Sequence, residues 1–120
     1  MDIIVITENF DLELFANLKE DIIIVDQTQN FIYATQFSIN EFENNEIKVI
    51  SREFEIPKCF LVDTNSFEIS KKLVSSIPSD IKVILHNDNE HFFSKSKFLK
   101  IKKFESFLNP FENGFISPST

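Results

Sequence analysis

Short apolar runs, separated by polar segments, predict most of the strands of this chain. Continuous apolar runs are typical of strands that are buried on both faces, as in parallel sheets. The segment from Phe31 to Thr35 is predicted to return beside an earlier run as a hairpin. The segment that Pro57 closes is β-branched and partly alternating, which also favours a strand. The predicted strands are 3–6, 22–25, 31–35, 46–56, 60–62 and 81–85.

Other segments carry apolar residues at helical spacing. Leu14, Phe15 and Leu18 predict a helix over 10–19, with Asn9 as its N-cap. Ile69, Leu73, Val74 and Ile77 predict a helix over 66–77, which Pro78 ends.

Three further segments give shorter or ambiguous signals. Ser38 to Glu41 has capping-box spacing and predicts one helical turn, which Asn44 and Asn45 can end. A short helix is predicted around Phe92 and Phe93, whereas the pattern over 97–108 fits either a helix or an edge strand.

These elements predict an α/β fold. The strand, helix and strand between residues 60 and 85 have the form of a crossover between parallel strands. With a hairpin in the middle of the chain, the expected architecture is a single small Rossmann-like or flavodoxin-like sandwich with a mixed, partly parallel sheet.

Length and composition bound the organisation of the chain. Its 120 residues are enough for one domain with its own core, expected over 1–111, with 112–120 as a flexible C-terminal tail. Cys59 is the single cysteine and lies within an apolar run, so it is expected to be a buried hydrophobe. The 15 phenylalanines either fill the core, in a chain biased toward Phe, or lie in part at a partner surface.

Charge and targeting signals restrict the partners. The net charge is −7, and residues 1–55 carry 12 acids against three bases, which makes nucleic-acid binding unexpected.

The beginning of the chain lacks the pattern of a signal peptide, and no apolar run is long enough for a membrane, so a cytoplasmic location without membrane contact is expected. A lysine cluster is either a solvated face or a binding surface that contacts phosphate or the acidic surface of a second copy: Lys95, Lys97, Lys100, Lys102 and Lys103.

Several common enzyme sites lack their defining residues. The only glycine is Gly114, so the glycine-built phosphate loops and nucleophile elbow are absent. One cysteine cannot build a zinc site from cysteine pairs. His86 and His91 are five residues apart, which is not the i, i+4 spacing of a zinc-binding helix.

One candidate catalytic constellation remains. Predicted strands end at Asp26, Asp63 and His86, and ligands of open α/β sheets bind beyond the carboxyl ends of strands. Asp26 and Asp63 would hold Mg²⁺, with His86 as general base, in a metal-dependent phosphodiesterase or nuclease. The other interpretation is structural, because Asp and Asn commonly end strands, and Asp63 or Asn65 is well placed to cap helix 66–77.

The function that these observations favour is non-enzymatic. The missing glycine loops, the uneven charge and the abundance of Phe indicate a protein-interaction or regulatory module without a cofactor. Its partner would be another protein or a second copy of the chain, with the lysine cluster facing the acidic half. The alternative is the metal-dependent enzyme, with Mg²⁺ at Asp26 and Asp63.

Overall fold

A computed structural model describes residues 1–18 and 30–115 of the chain. The strands are β1 (Asp2–Glu8), β2 (Ile32–Phe37), β3 (Pro57–Thr64), β4 (Val83–His86) and β5 (Phe92–Ser94). The helices are α1 (Leu12–Asn17), α2 (Asn44–Glu53), α3 (Phe67–Ser76), α4 (Lys95–Leu99) and α5 (Phe104–Leu108), with a 3-10 turn at Ile39–Glu41.

The sheet is antiparallel throughout, with strand order β2-β3-β1-β4-β5. The expected mixed, partly parallel sheet of Rossmann or flavodoxin type is therefore wrong. Strands β3 and β4 run in the same direction, as a crossover through α3 requires, but β1 lies between them and pairs antiparallel with both. The local pattern predicted the two strands and the helix correctly, but it carried no information about which strand lies between them.

Most helices pack on one face of the sheet, called here the first face. Alternate strand residues such as Ile3 and Val5 form a core there with the buried sides of α1, α3, α4 and α5. Much of the phenylalanine of the chain belongs to this core, where Phe67 and Phe107 lie at the centre of a group of rings. Of the phenylalanines in the described residues, only Phe31 and Phe111 are exposed, so core packing accounts for most of this composition.

The opposite, second face carries a smaller core. Ile4, Ile6 and Cys59 pack there against Phe42, Ile50 and Phe54, which come from α2 and the residues that flank it. Full burial of a residue such as Ile50 contributes about 2 kcal/mol to holding α2 on the sheet. The expectation that Cys59 is a buried hydrophobe is confirmed, and burial raises the pKa of its thiol to about 11.

The strand predicted over 46–56 is wrong, because residues 44–53 form helix α2. Ile47, Ile50 and Phe54 lie three and four residues apart on the buried side of this helix. Glu43 caps its beginning, with Glu46 completing a capping box, so residues 44 and 45 open this helix rather than ending a turn.

Three other local expectations are corrected or resolved. The short helix around Phe92 and Phe93 is wrong, since these residues belong to strand β5. Residues 97–108 contain parts of the two short helices α4 and α5. The N-cap of α1 is Asp11, whereas Asn9 has a positive φ of 47°.

Helix 66–77 is confirmed as α3, but its predicted cap is wrong. Ser66 is the N-cap, and its hydroxyl accepts a hydrogen bond from the amide of Ile69 at 3.4 Å. Asn65 instead accepts a hydrogen bond from the amide of Phe31 at 3.0 Å, and the Asp63 carboxylate lies 3.7 Å from the Met1 amino terminus. The Ser66 hydroxyl therefore makes the N-cap hydrogen bond that was expected from Asn65, one residue earlier in the chain.

The end of the described chain closes over the first-face core. Gly114 has a φ of +72°, a conformation that suits glycine, and Phe115 then packs within 6.3 Å of Phe93, ring centre to ring centre. Across the described ranges, none of the helices has the length and apolar character needed to cross a membrane.

Candidate functional site

The second face can be described as three rows of side chains that run across the strands. Residues directly paired in an antiparallel sheet point to the same face, so the pairing registers define these rows. The first row is Tyr33, Asp63 and Asp2; the second is Thr35, Leu61, Ile4, His86 and Phe92; the third is Phe37, Cys59, Ile6, Ile84 and Ser94.

Helix α2 and its flanking residues cover only part of these rows. Ile6 and Cys59 in the third row are buried beneath them, and Phe42 packs against the His86 ring in the second row. Within the described chain, no helix lies over the β2–β3 part of the first two rows. There Tyr33 keeps 66% of its surface exposed and Leu61 keeps 39%. We call this uncovered part, formed by Tyr33, Thr35, Leu61 and Asp63, the open rows.

A hollow of about 270 Å³ lies at the boundary between the open rows and the covered part of the face. Leu61 and Ile4 form its floor, because they are paired neighbours in the second row. Among the described residues, those that line it are Ile4, Thr35, Phe37, Glu41, Phe42, Leu61 and Asp88. The hollow is smaller than the roughly 300–1,000 Å³ typical of small-molecule sites, and mostly apolar, so it fits one large side chain.

Two paired carboxylates stand beside this hollow in the first row. Asp2 and Asp63 are directly opposite each other on β1 and β3, and the amino terminus of Met1 lies 3.7 Å from Asp63. Burial, together with the hydrogen bond and negative charge of Asp63, raises the pKa of Asp2 above its ordinary value. The charge of Asp88 acts in the same direction. The raised pKa therefore reflects burial first and the neighbouring carboxylates second.

The loop after β4 holds Asp88 in position. Asn87 is 2% exposed, and its amide donates hydrogen bonds to the carbonyls of Phe107 at 2.9 Å and Leu108 at 3.3 Å. Its side-chain oxygen accepts from the amide of Asn89 at 2.8 Å. Asp88 itself has a φ of 58°, the left-handed region that Asp and Asn tolerate. This fixed turn places the Asp88 carboxylate at the hollow.

His86 lies under the covered side of the same face. Its Nδ1 accepts a hydrogen bond from the amide of Asp88 at 3.0 Å, which leaves the proton of the neutral ring on Nε2. Nε2 lies 2.5 Å from Oε2 of Glu46, a close contact whose geometry is not that of an aligned hydrogen bond. Burial lowers the pKa of His86 below its ordinary value of 6.5, and the Glu46 carboxylate offsets part of that shift.

Only part of the predicted catalytic constellation can be located. Asp26 lies outside the described residues. Asp63 and His86 are on the same face and at the same end of the sheet, but β1 separates their strands, and their α-carbons are roughly 12 Å apart by strand spacing. Each has other neighbours, since Asp63 faces Asp2 and both nitrogens of His86 face inward partners.

The same part of the chain offers little to a metal ion. Within residues 1–18 and 30–115, no group of three or more His, Cys, Asp or Glu side chains is arranged to hold one. The roles predicted for Asp26, Asp63 and His86 stay predictions.

The lysine cluster lies on the other side of the molecule. Lys95 donates a hydrogen bond at 2.7 Å to the carbonyl of Ile77, at the end of α3, so it stabilises a helix terminus. The other four lysines are exposed on or beside α4 and α5, whose buried residues Phe98 and Phe107 belong to the first-face core. Binding by Lys95, Lys97, Lys100, Lys102 and Lys103 stays a prediction.

Sequence reasoning did not identify the open rows. Tyr33 and Thr35 alternate with the more apolar Ile32 and Ala34, and this period of two was a usable signal that one face of β2 is solvated. Leu61 lies inside a continuous apolar run, which gives no sign that it is exposed. Asp2 and Asp88 acquire their position only from pairing and from the loop after β4.

Comparisons with protein families, with characterised proteins and with solved structures find no match to this chain.

Proposed function

We propose that this chain is a non-enzymatic protein-interaction module that binds a partner protein through its open rows. The observation that carries the proposal is the exposure of Leu61 and Tyr33 beside an apolar hollow, on a sheet face that is covered elsewhere. A large apolar residue of a partner that enters this hollow would complete the cover that α2 begins. Such anchor residues in pockets supply most of the binding energy of typical interfaces.

The arrangement of His86 supports a structural role for this residue in preference to a catalytic one. A general base needs one ring nitrogen within reach of a substrate proton. Here Nδ1 accepts from the backbone and Nε2 faces Glu46, while the ring is 2% exposed and flanked by Phe42 and Phe92. We therefore propose that His86 and Glu46 position α2 and the adjacent residue Phe42, which lines the hollow.

Selection from a random peptide library tests the proposal and does not require the partner to be identified first. The library is displayed on phage and selected against the wild-type chain. Recovered peptides are then measured against Leu61→Ser, with Leu14→Ser as the matched control, because Leu14 is also exposed but lies on α1. We expect the selected peptides to bind Leu61→Ser at least tenfold more weakly, and Leu14→Ser as tightly as the wild type.

Two results would overturn the proposal. In one, selection against the wild type enriches no peptide more strongly than selection against the Leu61→Ser variant does. The other is a set of enriched peptides whose affinity is the same for both variants, which would place binding elsewhere on the surface. Circular dichroism of each variant establishes that the comparison is made between folded proteins.

A further inference from the structure

The charge around the hollow selects a particular kind of partner. Four carboxylates lie within the open rows or beside them and the hollow, and we call them the acidic rim: Asp2, Glu41, Asp63 and Asp88. Within the described residues, no lysine or arginine lines the hollow, and the Met1 amino terminus is the one cation placed against the rim. A second hollow beside it is lined by further acids, Glu43, Glu46 and Glu90, and His86 is the one basic side chain among its described lining residues.

The acidic rim is also held close together in the free protein. Asp2 and Asp63 face each other across paired strands, and the fixed turn at Asp88 brings a third carboxylate toward them. The resulting rise in the pKa of Asp2 follows from burial and from these neighbours. Cations supplied by a partner would relieve this repulsion on binding, which provides both attraction and orientation.

The same charges argue against a second copy that uses the same face. A two-fold contact places identical patches against each other, so each acidic rim would meet another acidic rim. A second copy that instead offered its exposed lysines would form a head-to-tail contact, because those lysines lie on or beside the helices of the first face. Unless such contacts close into a ring, they continue into chains of molecules.

We propose that the open rows bind a segment of another protein that carries one large apolar side chain flanked by lysine or arginine. This inference rests on the proposed function and names the chemistry of its partner. The apolar side chain enters the hollow over Leu61 and Ile4. The flanking cations lie against the acidic rim.

Synthetic peptides of one pattern test the inference. The probe is Lys-Lys-Val-Phe-Val-Lys-Lys, compared with one version in which Phe is Ser and another in which every Lys is Glu. Binding is measured by fluorescence anisotropy at low and at physiological salt. We expect the probe to bind the wild type with a Kd below about 1 mM. Both altered peptides should bind at least tenfold more weakly.

Two protein variants of equal net charge distinguish the effect of the acidic rim from the effect of net charge alone. The rim variant combines Asp2→Asn, Glu41→Gln, Asp63→Asn and Asp88→Asn, and Asn suits the left-handed backbone at 88. The control variant combines Glu55→Gln, Asp80→Asn, Glu105→Gln and Glu112→Gln, all exposed acids outside the rim. Both variants change the net charge equally. We expect the rim variant to lose about tenfold in affinity for the probe, and the control to lose much less.

Three outcomes would overturn the inference: no binding of the probe, equal binding of the Ser-centred peptide, or equal losses in the rim and control variants. These outcomes differ from failure of the proposed function. If library peptides without Lys or Arg bind and still require Leu61, the proposed function stands and the cationic partner is wrong. Light scattering of the free wild type adds a further test, since self-association that the rim variant abolishes would identify a second copy as the occupant instead.

Discussion

His86 in strand β4 and Glu46 in helix α2 make a close buried contact, with Nε2 and Oε2 separated by 2.5 Å. The other carboxylate oxygen of Glu46 accepts a hydrogen bond from the amide of Glu43 at 3.4 Å, at the beginning of the same helix. One side chain therefore caps α2 and also faces the sheet. This arrangement sets the position of α2, which begins two residues after Phe42 in the lining of the hollow.

The stability of the protein should decrease as the pH falls below the ordinary pKa of histidine. Burial lowers the pKa of His86 in the folded protein. Below about pH 6.5, the unfolded chain therefore binds a proton at this histidine more readily than the folded chain does. The free energy of unfolding, measured in urea, is expected to fall between pH 7 and pH 5. In His86→Gln this fall should be smaller, whereas His91→Gln should keep it. An unchanged slope in His86→Gln would contradict the prediction.

Loss of the Glu46 side chain should destabilise the fold. Glu46→Ala removes both the cap contact and the partner of a buried ring nitrogen, which we expect to cost about 2 kcal/mol of unfolding free energy. Glu46→Gln retains an oxygen and should cost less. Glu55→Ala, at an exposed position just beyond α2, is the control and should have little effect. Equal stabilities for Glu46→Ala and Glu55→Ala would show that the contact does not hold α2.

Neutralising Asp2 should raise the melting temperature at neutral pH. The raised pKa of Asp2 means that the folded state disfavours its ionised form. The contribution of Asp2 to stability therefore falls as the pH rises from the ordinary pKa of 3.8 toward the higher pKa of the folded protein. Asp2→Asn removes this cost, whereas Asp80→Asn, in an exposed loop, should not change the melting temperature. The gain should vanish below about pH 3, where the wild-type carboxyl is protonated. A lower melting temperature for Asp2→Asn at pH 7 would refute the argument.

Substitutions at two adjacent residues of β3 should destabilise the protein to different degrees. Val62 is 1% exposed in the first-face core, so Val62→Ala is expected to cost about 2 kcal/mol. Leu61 is 39% exposed in the open rows, so Leu61→Ser should cost less than about 1 kcal/mol. Chemical unfolding of both variants measures the difference. A large loss in Leu61→Ser would mean that this leucine serves the fold and not a partner.

Periodicity predicted those elements whose pattern had a single interpretation. The run at 3–6 is a strand buried on both faces, and the spacing from Ile69 to Ile77 corresponds to helix α3. Segment 46–56 was misassigned because its β-branched composition favoured a strand. Its apolar residues at helical spacing and the Glu43–Glu46 capping box were the stronger signals, since a capped amphipathic face determines a helix more than intrinsic propensity does.

The sequence by itself determined the strand at 3–6, the helix α3, the buried character of Cys59 and the absence of glycine-based phosphate loops, because these depend on residues that are near one another in the chain. Only the tertiary structure decided that β1 lies between β3 and β4, which changed the sheet from mixed to antiparallel. That insertion also brought Asp2 opposite Asp63. The tertiary structure likewise leaves Leu61 exposed in the uncovered part of the second face. Strand order depends on pairing between segments about sixty residues apart, and no local pattern of polar and apolar residues encodes it.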